Sequence, residues 1–154
     1  MTRTIKTELP PHSLLHGYVQ QGDFLDCYTC ATDLPVDAAA ARAMAFPVWA
    51  SWLLRLRNGL MAPFGLTAAI PDGDKIGPFP IDQRNDHEII LGFDDSHLNF
   101  RISILTTGTE AYCATWVHRN NRLGHLYLAA IMPFHILIVR NAVGQIWRPD
   151  RKRP

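Results

Sequence analysis

The stretch Leu91 to Leu105, LGFDDSHLNFRISIL, places Asp94, Asp95, His97, Asn99 and Arg101 within eight residues. Carboxylates and an imidazole this close together can divide general acid and base work between them. The same residue types also make up the wet side of an antiparallel sheet. Strand register separates the two readings. A tight turn with Asp95 and Ser96 at its tip pairs Asp94 with His97, Phe93 with Leu98, Leu91 with Phe100 and Ile89 with Ile102. Gly92 then meets Asn99, Ile90 meets Arg101 and Glu88 meets Ser103. Side chains alternate between faces with period two, so the two sets lie on opposite sides. A second turn at Gly108 and Thr109 pairs Ile104 with Cys113, Ile102 with Thr115 and Phe100 with Val117. On the other side it pairs Arg101 with Trp116 and Asn99 with His118. One face is therefore apolar. The other carries Asp94, His97, Asn99, Arg101, Trp116 and His118, and is expected to be solvated. An Arg101–Trp116 cation–π contact there is worth about 0.5–1 kcal/mol.

Other chemistry is thinly represented. Cys27 and Cys30 form CYTC, but three residues apart on a strand their thiols point to opposite faces and cannot easily share a metal. With Cys113 the count is odd, which argues against a disulfide framework and for a reducing cytoplasm. The seven histidines show no zinc spacing. No serine elbow or phosphate-binding glycine loop is present, and no cofactor is expected. His135 stands out, since its neighbours in MPFHILIV are apolar. It is either a satisfied core histidine or a polar handle in a pocket. Tyr127, eight positions earlier, shares roughly its helical face.

The elements that must position these groups follow from pattern. The 154 residues, 47% apolar and with a formal charge of +1, suit one domain with a real core and give no reason to expect nucleic acid. Residues 1–22 read as an arm with no signal-peptide core, residues 23–148 as a single domain, and residues 149–154 as a short basic tail. DFLDCYTCATD reads as a first strand. DLPVDAAAARAMAFP opens a helix that Asp33 or Asp37 could cap. VWASWLLRLRNGLM follows as a second helix, with Trp49, Trp52, Leu53, Leu56 and Leu60 on one stripe. GPFP, Gly77 to Pro80, belongs to an edge-type strand. Three meander strands come next. A long helix then runs from about Asn121 to about Trp147, with Pro133 expected to kink it. Its apolar run, Leu123 to Val139, falls short of the roughly 20 residues of a membrane span and contains two histidines. A buried helix is expected instead. The layout is α+β, with helices on one face of a curved antiparallel sheet.

Three stretches, DKIGPFP (Asp74–Pro80), LGFDDSHLNFRISI (Leu91–Ile104) and NRLGHLYLAAIMPFHILIV (Asn121–Val139), resemble a bacterial family of uncharacterised proteins catalogued as domain of unknown function 2867. Asn99 and His125 depart from the aspartate and arginine frequent at those positions. The family resembles the helix-grip superfamily of lipid-transfer and plant-allergen-like domains. That implies a curved sheet gripping the C-terminal helix, often around a cavity, and it implies no activity.

The leading expectation is therefore a binding module for a small apolar or aromatic molecule. Its site would be lined by Leu91, Phe100, Ile102, Thr115, Tyr127 and His135, with Phe79 and Trp52 at the rim. Two alternatives stand beside it. One is a cyclase- or hydrolase-like enzyme in which His135 or His118 serves as base, with Tyr127 or an aspartate as partner. The other is a non-catalytic domain that forms a homodimer or meets a partner through the polar sheet face and Trp116.

Overall fold

The computed structural model describes residues 4–61 and 73–147. The basic tail and two leucines of the second helix's expected stripe, Leu53 and Leu60, fall outside the described side chains. The elements are β1 (Ile5–Lys6), β2 (Phe24–Ala31), α1 (Val36–Ala43), α2 (Val48–Met61), β3 (Lys75–Ile76), β4 (Phe79–Arg84), β5 (Glu88–Asp94), β6 (Leu98–Thr106), β7 (Glu110–Arg119) and α3 (Arg122–Ile146). All seven strands form one curved antiparallel sheet in the order β1-β2-β7-β6-β5-β4-β3. The expected α+β architecture is present, with two early helices and a long C-terminal helix packed on the sheet.

The β6–β7 register is the one read from sequence, including Arg101 opposite Trp116 and Phe100 opposite Val117. The β5–β6 register is not. Leu91 pairs with Ile102, Phe93 with Phe100 and Asp94 with Asn99, a slip of two residues from the expected pairing. The turn therefore has Ser96 and His97 at its tip, closed by the Asp95 amide donating to the Leu98 carbonyl at 3.0 Å. Neighbouring chain holds it there. The Asn120 amide donates to the His97 carbonyl, and the Asn120 side chain donates to the Asp95 carbonyl. A slip of two preserves which face each side chain occupies, so the face assignment survives the wrong register.

One face of the sheet is covered by α1 and α3. Ile89, Leu91, Ile104, Cys113 and Tyr28 pack there against Ala39, Ala40 and Ala43 of α1 and Val139, Ala142, Val143 and Ile146 of α3. Alanines let the α1 backbone approach closely, and propensity favours them in a helix. Neither Asp33 nor Asp37 caps α1. Pro35 occupies the cap position, its missing amide being no loss at a helix start, while Asp37 pairs with Arg84 at 2.6 Å. The N-terminus of α3 is capped by the Asn121 side chain, which accepts from the Gly124 amide at 3.0 Å. This helix runs unbroken through Pro133, whose ring lies on the exposed side. Only one face of α3 is buried. Leu126 is 68% exposed and Leu137 58%, where a buried helix was expected.

Much of the opposite face of the sheet is covered as well. The N-terminal arm crosses it. β1 pairs with β2, and Leu9, Leu14, Leu15, Tyr18 and Val19 pack on Cys27, Ile90, Ala114 and Trp116.

Gly124 marks the tightest approach between α3 and the sheet. A Cβ there would collide with the His97 carbonyl oxygen, which is backbone and cannot swing aside. Helix propensity alone would make Gly124→Ala stabilising by about 1 kcal/mol. The clash should reverse the sign, for a net loss of about 1–3 kcal/mol. Urea unfolding of the variant at constant m-value checks this, and Gly17→Ala, where a Cβ meets nothing, serves as the control.

Candidate functional site

The candidate site lies on the helix side of the sheet, where two cross-strand rows meet α3. Asp26, Thr115, Ile102 and Leu91 form one row. Phe24, Val117, Phe100 and Phe93 form the next. His135 reaches down from α3 to the first row, with Nε2 3.0 Å from Asp26 Oδ2, and its ring meets Phe24 edge-on at 5.8 Å. The other carboxylate oxygen, Asp26 Oδ1, is buried and has no hydrogen-bond partner. A buried carboxylate oxygen left without a donor is costly. It marks a place on this face where a further donor would be welcomed.

Further across the same face, on β6, β5 and β4, the surface is aromatic and only half covered. Phe46, Phe79, Phe100 and Phe93 form a chain of edge-to-face contacts with centroid separations of 6.3, 5.5 and 5.0 Å. Each ring keeps part of its surface open. Such rings favour further edge-to-face contact with an aromatic or apolar guest.

The structure sorts the expected residues unevenly. Leu91 is fully buried in the main core, with Ile102 and Phe79 packed against its margin. Thr115 stands between Asp26 and Ile102. Phe100 and Tyr127 belong to a smaller cluster with Leu98, Val117 and Leu128. Tyr127 meets the ring of His97 edge-on at 5.2 Å. Trp52, on α2, is 62% exposed. Asp26 was missed. Its signal was available, because in FLDCY the alternation that places Phe24 and Tyr28 on the apolar face places Asp26 there too.

His97 was assigned to the polar face and is not on it. At the turn tip it folds under α3, is 1% exposed, and has Nδ1 3.3 Å from Asp95 Oδ2. Three residues of the polar face, Trp116, His118 and Arg101, latch the arm, while Asp94 stays exposed and Asn99 accepts from the Asn120 side chain. Trp116 Nε1 donates to Asp23 Oδ2 at 2.8 Å, and His118 Nδ1 lies 2.6 Å from Asp23 Oδ1. The expected Arg101–Trp116 stacking is replaced. Arg101 lies over the Tyr18 ring at 5.2 Å and ion-pairs with Asp82 at 3.0 Å and Asp94 at 2.9 Å. The Tyr18 hydroxyl donates to Asp82. Glu88, 1% exposed, accepts from the hydroxyls of Ser13 at 2.6 Å and Ser103 at 2.5 Å and from the Leu14 amide at 2.8 Å. An open cleft of about 350 Å³ lies by β4 and β5 with Asp82, Asp94 and Arg101 in its walls. None of the expected ligand-lining residues borders it.

The cysteines are inert in this setting. All three are free and buried, with Cys27 on the arm side and Cys30 and Cys113 on the helix side. Burial pushes the Cys27 thiol up to about 12 and that of Cys30 up to about 11. Among the described residues no cluster of histidine, cysteine and carboxylate side chains suits a metal ion.

An antiparallel sheet carrying a long helix, with an aromatic seam and a buried acid–imidazole pair between them, defines a class of small α+β domain. A family model described as "Protein of unknown function (DUF2867)" matches residues 18–142, and the chain belongs to that family. No curated protein and no solved structure matches it.

The latch gives a pH dependence with a definite sign. At Asp23, burial raises the carboxyl, but hydrogen bonds from His118, the Gln20 amide and Trp116 outweigh it and hold it below its ordinary value. At Asp82, burial is outweighed in the same way by Tyr18 and Arg101. Both groups take up protons more readily in the unfolded chain. The stability they contribute is therefore complete above the ordinary carboxylate range, about pH 4, and is lost as pH falls through their lowered folded values. Acid titration followed by tryptophan fluorescence should show the Trp116 environment opening in that window. Asp23→Asn should show a smaller acid-dependent loss of stability.

Proposed function

We propose that this chain binds a small, mainly apolar or aromatic molecule that carries one hydrogen-bond donor, in the seam between the sheet and α3. The observation that supports this most directly is Asp26 Oδ1, a buried acceptor without a donor, on the same face as the half-covered ring of Phe24, with the half-covered rings of Phe100, Phe93 and Phe79 further across that face on β6, β5 and β4. A guest hydroxyl or amine would satisfy the carboxylate while its apolar body covered the rings. Each Å² of apolar surface removed from water contributes roughly 25 cal/mol before the costs of ordering are subtracted. His135 keeps the carboxylate oriented through its other oxygen. The helix-grip reading of the layout fits this role, since such a sheet and helix enclose their guests from opposite sides.

A second reading has one specific feature in its favour. The Asp26–His135 contact at 3.0 Å is the geometry by which a carboxylate orients an imidazole for proton transfer. In that version the bound molecule is turned over by a hydrolase- or cyclase-like step with His135 as base. The polar-face dimer, in contrast, loses its main anchor. Trp116 is 4% exposed beneath the arm, so self-association would have to use other residues.

Displacement of a fluorescent naphthalene-sulfonate dye by 2-naphthol, checked by native mass spectrometry, tests the binding reading. Wild type should take up the probe. Asp26→Asn should weaken 2-naphthol about tenfold or more, the scale of a lost charged hydrogen bond, while leaving naphthalene itself little affected. Phe100→Ala should weaken both. Absence of uptake by wild type would sink the reading. Loss of turnover in His135→Gln with binding retained would favour the catalytic version.

A further inference from the structure

We propose that the outward face of α3 rests on the surface of an anionic lipid bilayer. The helix has two apolar sides. One carries Leu128, Val139, Val143 and Ile146 into the core. The other carries Leu123, Leu126, Phe134 and Leu137 into open space, at spacings of three and four residues from one to the next once exposed Ala130 is included. Solvation of a surface helix asks for polar residues on that outer side, and this one has almost none.

Charge identifies the occupant. The 14 acidic residues of the chain are all found in positions 1–37, 72–110 and at Asp150. Positions 38–71 and 111–149, which contain α2 and α3, hold no Asp or Glu and seven arginines. Arg122 and Arg140 are both exposed at the two ends of the apolar stripe. Eighteen residues of helix separate them by about 27 Å. Exposed apolar side chains bracketed by arginines suit a helix lying in the plane of a membrane interface, its stripe in the acyl boundary and its cations at lipid phosphates. α2 separately exposes Val48, Trp49, Trp52 and Leu56 together with Arg55. By length and composition α3 could cross a membrane, but its inner side is committed to the sheet, so it lies on the surface. A second copy of this chain fits less well. Stacking two such stripes would bring arginines together with no carboxylate on either helix to pair them.

Flotation with vesicles of phosphatidylcholine alone, and of phosphatidylcholine mixed with phosphatidylglycerol, tests this. Wild type should float with the mixed vesicles at least tenfold more than with the neutral ones, and added salt should reduce the difference. Leu126→Glu with Leu137→Glu should abolish flotation with an unchanged circular dichroism spectrum, since both side chains are exposed. Arg122→Glu with Arg140→Glu should remove the preference for the mixed vesicles. No flotation of wild type, equal flotation on both lipids, or full flotation of the leucine variant would overturn the proposal. A dimer in light scattering that Leu126→Glu dissolves, with no lipid binding, would also overturn it and assign the face to a second copy.

Discussion

Burying a carboxylate requires that its charge be answered locally, and this sheet buries them on both sides. Water can stabilise an ionised oxygen from any direction, whereas a protein interior offers only the donors its chain happens to place there. On the arm side the answer is complete. Glu88 receives two hydroxyls and an amide, and Asp23 receives an indole and an imidazole. These bonds tie residues 13–23 to strands far away in sequence, so satisfying the charges and holding down the arm are the same event. On the helix side the answer is half given. Asp26 has His135 on one oxygen and nothing on the other. The contrast between a finished polar network and an unfinished one directs attention to the seam, because native interiors rarely leave such an atom without cause.

Much of the fold was legible because period-two alternation is insensitive to small errors. The β5–β6 hairpin was read with the wrong tip, yet Leu91, Phe93, Phe100 and Ile102 still fell on the helix side. The long C-terminal helix was legible from the length and pattern of its apolar run; its Asn121 cap emerged only in the structure. Tertiary contacts were not. Nothing local to Glu88 or Arg101 announces that an arm from the other end of the chain will cover them, so the polar face read as wet. Asp26 shows a different failure. Its parity pointed inward, but cysteine spacing drew attention to its neighbours, and a lone aspartate carries no motif. Its partner lies 109 positions away, beyond any local pattern.

α3 joins the two functional readings in one element. Its inner side supplies His135 to the seam and its outer side supplies an uncovered apolar stripe. Pro133 sits between them in the sequence with its ring turned outward. The hydrogen bond it forfeits therefore lies on the side away from the sheet, which is why the packing of Leu128, Val139 and Val143 is undisturbed. The cap at Asn121 and the close approach at Gly124 fix the start of the helix against the Ser96–His97 turn. That anchoring sets where His135 arrives over Asp26.

The position of β2 between β1 and β7 carries a consequence for how the molecule is made. Asp26 pairs with Thr115, about ninety positions later, so the edge that β2 offers stays open during synthesis until the last strand has left the ribosome. A ladder closed over so long a loop assembles late and slowly. Until then the edge of Phe24–Ala31 that faces β7 has no partner strand, and an unpaired strand edge is a template for pairing with other chains.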